Sequence, residues 1–86
     1  MADYDTILKN NPLDDTVWFK KGQACMEIKD YNGAVKAFTA VLDLSDLSTA
    51  YYARSQAYEK LNDHANALKD KIAGDKQAKR RAVERL

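Results

Sequence analysis

The sequence predicts an all-α fold of paired antiparallel helices, and three observations carry that reading. First, small and large apolar residues recur at three- and four-residue steps. Trp18, Gly22, Cys25 and Ile28 share one stripe only if the chain is helical. Second, the composition is alanine-rich and lacks β-branched runs, which favours helix over strand. Third, the chain aligns with itself at an offset of 33 residues, pairing Thr16 with Thr49, Gln23 with Gln56, Ala24 with Ala57, Asp30 with Asp63, Ala34 with Ala67 and Lys36 with Lys69. Similar residues pair in the same register: Trp18 with Tyr51, Phe19 with Tyr52, Ile28 with Leu61, Val35 with Leu68. A duplicated two-helix unit follows.

Each element can be justified in order. The first helix carries the Trp18, Gly22, Cys25, Ile28 stripe. Asp30 is an N-cap candidate for a second helix, whose inner stripe is Tyr31, Ala34, Val35, Phe38, Val41 and Leu42. In the second copy Ser48 and Asp63 are the matching cap candidates, and Tyr51, Ser55, Tyr58 and Leu61 line the third helix. Small residues let helices approach closely, so Gly22 is expected against Ala34 and Ser55 against Ala67, with Trp18, Cys25, Phe38, Tyr51 and Tyr58 filling the space beside each crossing.

Bulk composition agrees. At 86 residues, 45% hydrophobic and 31% charged, the chain has the profile of one small soluble domain. A single cysteine, Cys25, cannot make an internal disulfide, so stability must come from helix packing or from partners. No apolar run approaches the roughly 18 residues of a membrane span, and the acidic start MADYD has the wrong charge for a leader, so a reducing, cytoplasmic setting is expected.

The combined pattern resembles the tetratricopeptide repeat (TPR), a helix-turn-helix unit. Trp18, Gly22, Ala34 and Phe38 fit the first repeat, with Cys25 where the family prefers tyrosine; Tyr51, Ser55, Tyr58 and Ala67 fit the second. Lys71 stands at an expected aromatic and Gly74 at an expected alanine. YDTILKNNP, Tyr4 to Pro12, is similar to the end of a preceding repeat, with Pro12 at the terminating position. The resemblance implies antiparallel helix-turn-helix repeats stacked as a right-handed solenoid, with an extended or capping C-terminal helix. The divisions are 1–12, a partial preceding repeat; 15–47 and 48–75, two repeats; and 76–86, a basic helical tail. Ankyrin repeats share the 33-residue spacing, but a TPLH-like turn is missing.

Signals for catalysis are weak. One histidine, one cysteine and three scattered glycines supply no phosphate loop and no HExxH or CxxC spacing, so neither a cofactor nor a metal nor enzymatic activity is expected. His64 and Cys25 read as structural residues, and Asp30 with Asp63 as caps rather than an acid/base pair.

The opposite face of each repeat's first helix is more informative. At 100° per residue Thr16, Phe19, Lys20, Gln23, Met26 and Glu27 point away from the Trp18 stripe, as do Thr49, Tyr52, Ala53, Gln56, Glu59 and Lys60 in the second copy. The resemblance makes this the concave, ligand-binding surface. Its candidate partner residues are Thr16, Phe19, Lys20, Gln23, Met26, Tyr52, Ala53, Gln56 and Lys60. Aromatic area beside amides and lysines suits an extended peptide or a partner helix, with the chain serving as part of a scaffold or adaptor. Phe19 and Tyr52 also have a plainer reading as contacts between neighbouring repeats. A standard chaperone-type carboxylate clamp does not fit, because Phe19 and Ala53 replace residues that would donate to the carboxylate.

Charge is uneven. Residues 1–68 hold seven Lys/Arg against ten Asp/Glu, net −3, whereas residues 69–86 hold seven against three, net +4. Lys76, Lys79, Arg80, Arg81 and Arg85 form a candidate basic patch, read first as a solvating end-helix in which Lys71 and Asp75 can pair. The sharper reading is electrostatic binding of nucleic acid, anionic lipid or an acidic partner through this tail; nucleic acid and membrane are not the expected partners, and aromatics do not interleave the charges, which disfavours specific RNA reading. Self-association into a homo-oligomer is the rival to peptide capture.

Overall fold

The computed structural model describes the backbone of residues 14–84 and side chains as far as residue 80. Among the described residues four helices follow one another: α1 (Asp15–Glu27), α2 (Tyr31–Leu44), α3 (Ser48–Lys60) and α4 (His64–Glu84). Each packs on its sequence neighbour, so the two hairpins α1/α2 and α3/α4 are joined through α2 against α3. Among the described residues there is no strand. Expectations for segment 1–12, and for the Arg81 and Arg85 side chains, fall outside the described residues.

The two hairpin turns are built alike. The Lys29 amide donates to the Met26 carbonyl (3.1 Å) and the Asp30 amide to Cys25 (2.8 Å); thirty-three residues on, Asn62 donates to Glu59 (3.0 Å) and Asp63 to Tyr58 (2.9 Å). These are Schellman closures, and they require a left-handed residue, here Lys29 at φ 63° and Asn62 at φ 61°. The next residue at once caps the following helix: the Asp30 carboxylate accepts from the Gly33 amide at 3.0 Å, and Asp63 from the Asn66 amide at 3.3 Å. Two aspartates therefore each end one helix and begin another.

Asp14 caps α1 by accepting from the Val17 amide at 3.3 Å. At α3 the structure differs from the sequence expectation. Ser48 is the first helical residue and Leu47 is the cap, with no side-chain bond; the half-buried Leu47 leaves the helix axis in an extended conformation, φ −86° and ψ 123°.

The core is small and alanine-rich. Cys25, Ala34, Phe38 and Ala57 form one buried cluster, and Val41, Ala37, Ala50 and Ala67 are also buried. Phe38 reaches across to Gly22, where an added methyl would overlap its ring, so the close approach of α1 to α2 is set by Phe38 as the residue facing Gly22. Ser55 does meet Ala67, through a hydroxyl that donates to the Ala67 carbonyl at 2.8 Å. Trp18 is half-buried with the Lys21 ammonium 5.3 Å above its ring. Ile28, expected on the packed stripe, is 62% exposed because it is the C-cap, where the turn carries its side chain out of the crossing.

A polar contact joins three helices. Arg54 on α3 donates two bonds to the Asp70 carboxylate on α4 (2.8 and 2.7 Å) and a third to the Thr39 hydroxyl on α2 (3.1 Å). The Thr39 hydroxyl in turn donates a hydrogen bond to the Val35 carbonyl at 2.7 Å. Asp70 is buried, and its hydrogen bonds are the main reason the Arg54 guanidinium is held even above its ordinary pKa.

Candidate functional site

Helical spacing puts Asp15, Thr16, Phe19, Lys20 and Gln23 along one side of α1, since steps of three and four residues return to the same face. The start of α3 runs alongside and contributes Leu47 and Thr49. Together these seven residues line an open groove of about 280 Å³. Its floor is apolar, from Phe19 and Leu47, and its walls carry the Lys20 ammonium, the Gln23 amide, two threonine hydroxyls and the Asp15 carboxylate.

Second contacts fix this wall. Asp15 accepts from the Ser45 hydroxyl at 2.6 Å, which ties the α2–α3 connection back to the beginning of α1. That hydrogen bond is the chief reason the Asp15 carboxyl lies below its ordinary pKa. The Phe19 ring lies 5.4 Å from the Phe38 ring at 56°, so one side of Phe19 supports the core while the residue still lines the groove.

The predicted surface residues thus divide. Thr16, Phe19, Lys20 and Gln23 line the groove with Thr49. Met26 and Ala53 pack against the buried cluster. Gln56 and Lys60 are exposed further along α3. The Tyr52 hydroxyl donates to the Asp75 carboxylate on α4 at 2.5 Å, and its ring lies against Gly74. Asp75 is therefore engaged by Tyr52 rather than by Lys71, and burial of the hydroxyl is secondary to this bond in raising the Tyr52 pKa. His64 is exposed, with Nδ1 2.9 Å from the Glu59 carboxylate.

Asp15 and Leu47 were not among the residues singled out from sequence. Asp15 precedes Phe19 by one turn, so periodicity could have found it, whereas Leu47 lies outside any helix and only the tertiary path brings it in. Lys76, Lys79 and Arg80 are exposed on α4, which continues without a break from the second repeat into the tail. Among the described residues, no group of three or more His, Cys, Asp or Glu is placed to hold a metal ion, and no helix is long and apolar enough to cross a membrane.

The helix pairs and their 33-residue register have a counterpart among known families. The sequence profile of the tetratricopeptide repeat matches residues 15–46 and 48–70, more than half of the chain. The chain belongs to the tetratricopeptide repeat family. The second match ends at Asp70, just before Lys71 and Gly74, where the sequence departs from the repeat pattern. The solved structure of MamA (MSR-1, C2) superposes with a TM-score of 0.87 at 22% identity, covering 90% of this chain and 45% of that one. The likeness establishes a shared fold, a helical repeat solenoid, and the chain spans under half of the MamA chain's length. No curated protein matches the sequence. As a TPR chain this is a protein–protein interaction module, in a family whose fold is generally non-catalytic.

Proposed function

We propose that the chain holds an extended peptide or partner helix along the face shared by α1 and α3, as one section of a larger scaffold or adaptor, without catalysing a reaction. The groove carries the proposal: an apolar floor of Phe19 and Leu47 supplies contact energy, while Lys20, Asp15 and Gln23 offer a cation, an anion and an amide that fix direction and register. Gln56 and Lys60 are exposed further along α3 and offer an elongated ligand polar partners beyond the groove.

Selection of random displayed peptides on the full chain, followed by fluorescence anisotropy of an enriched peptide, tests this reading. Lys20→Glu and Gln23→Ala are expected to weaken capture by at least about tenfold, the loss of one or two oriented contacts at a binding centre. Both residues are exposed, so far-UV circular dichroism should not change. Phe19→Ala is the poorer probe because Phe19 also supports Phe38. Equal affinity in the Lys20 and Gln23 variants would remove the assignment of this surface.

A further inference from the structure

The charges of the groove stand in an order that a ligand has to match. Asp15 lies one helical turn before Phe19 and Lys20 directly after it, so an anion and a cation bracket the aromatic part of the floor along α1. Asp15 is the more closely fixed of the two. Its Oδ2 accepts from the Ser45 hydroxyl at 2.6 Å, whereas Oδ1 has only the Thr16 hydroxyl at 3.5 Å, beyond ordinary hydrogen-bond length. The Ser45 bond both orients the carboxylate and keeps it ionised, and it leaves Oδ1 with lone pairs for a cation from outside. In the second repeat the matching position is Ser48, so this anion belongs to the first repeat alone.

Size decides the form of the ligand. The groove, about 280 Å³, lies just under the roughly 300–1,000 Å³ of sites that enclose a drug-sized molecule. That space admits one large side chain rather than the body of a helix about 10–12 Å across. Register follows from rise. From Asp15 to Phe19 the helix climbs about 6 Å, and side chains on one face of an extended chain recur at about 6.6 Å, every second residue. On the reading that this groove captures peptides, we infer that its occupant is an extended segment with one bulky apolar residue seated on Phe19 and Leu47, a lysine or arginine two residues away against Asp15, and an acidic residue past the anchor on the Lys20 side. Charge complementarity at Asp15 and Lys20 selects this order. Ser45 acts as a positioning residue, through Asp15.

The test selects displayed random peptides of about nine residues on the full chain, long enough to extend past both ends of the pattern. The enriched sequences should place a base and a bulky apolar residue at i, i+2. By fluorescence anisotropy, replacing that base with glutamine should weaken binding about two- to fivefold at low salt, the scale of one exposed charge pair, and the difference should shrink as salt is added. Asp15→Asn, whose amide oxygen can still accept from Ser45, should bind the basic and glutamine peptides equally while remaining sensitive to loss of the peptide's acid. Ser45→Ala should reduce the advantage of the base without removing it. The inference is overturned, with the groove reading intact, if an enriched peptide that Gln23→Ala weakens carries no base, spaces its apolar residues at i, i+3 or i+4 as a helix would, or keeps its full dependence on the base in Asp15→Asn. If binding is indifferent to Gln23→Ala, or no peptide is enriched, the groove reading itself fails and this inference falls with it.

Discussion

Replacing Asp70 by Asn removes the charge that three helices share. The carboxylate accepts two bonds from Arg54, at 2.8 and 2.7 Å, from a side chain 6% exposed. An asparagine can accept one of them at best, and it leaves the guanidinium beside a neutral group that cannot compensate it. Breaking a buried pair in this way costs about 3–5 kcal/mol when both ions are fully enclosed. Arg54 keeps 18% of its side-chain surface in water and stands near the rings of Tyr51 and Tyr58, 5.9 and 6.0 Å to their centroids, so part of the charge remains solvated or stabilised. The expected loss is therefore about 2–3 kcal/mol, below the fully enclosed range. In a domain of this size that lowers Tm by roughly 10–20 °C. Urea unfolding followed at 222 nm measures it, with Arg54→Met and the double Arg54→Met, Asp70→Leu completing a cycle. Removing both charges should cost less than removing Asp70's alone. A loss under about 0.5 kcal/mol in Asp70→Asn, the size of an ordinary surface change, would refute the idea that this contact holds the hairpins together.

Two further outcomes follow from local geometry. Gly22→Ala gains about 1 kcal/mol of helix propensity but forces a methyl into the buried Phe38 ring, an overlap worth about 1–3 kcal/mol, so the variant should be less stable by roughly 1 kcal/mol in urea melts. Its combination with Phe38→Leu should recover part of the loss, and a Gly22→Ala protein more stable than the parent would contradict the packing. Tyr52 is favoured in its neutral form by its bond to Asp75, so that contribution is complete below the ordinary tyrosine pKa and is lost as pH rises through the elevated folded value. Difference absorbance at 295 nm against Tyr52→Phe should show this titration moving downward in Asp75→Ala; an unmoved titration would mean that the bond does not form in solution.

The candidate site was legible in the sequence where it lies on a helix. Thr16, Phe19, Lys20 and Gln23 share a face by spacing alone, and the groove contains all four. Phe19 shows the limit of that argument, since a helical wheel gives its direction but not that Phe38 would reach far enough to share its ring. Tyr52 shows it again. Its aromatic position repeats that of Phe19 at 33 residues, yet the unbroken run of α4 brings Asp75 to its hydroxyl.

The sequence by itself determined the helical class, the duplication, both aspartate joints and the need for a small residue at Gly22, because each depends on interactions within a few residues or on a period in the chain. The tertiary structure decided what faces Gly22, how Arg54, Asp70 and Thr39 meet, and where Leu47 joins the groove. Those contacts link positions from different helices, and their partners are selected by the angle and depth at which hairpins pack. Local periodicity contains no information about that angle; side-chain volumes at the crossing fix it once the chain has closed.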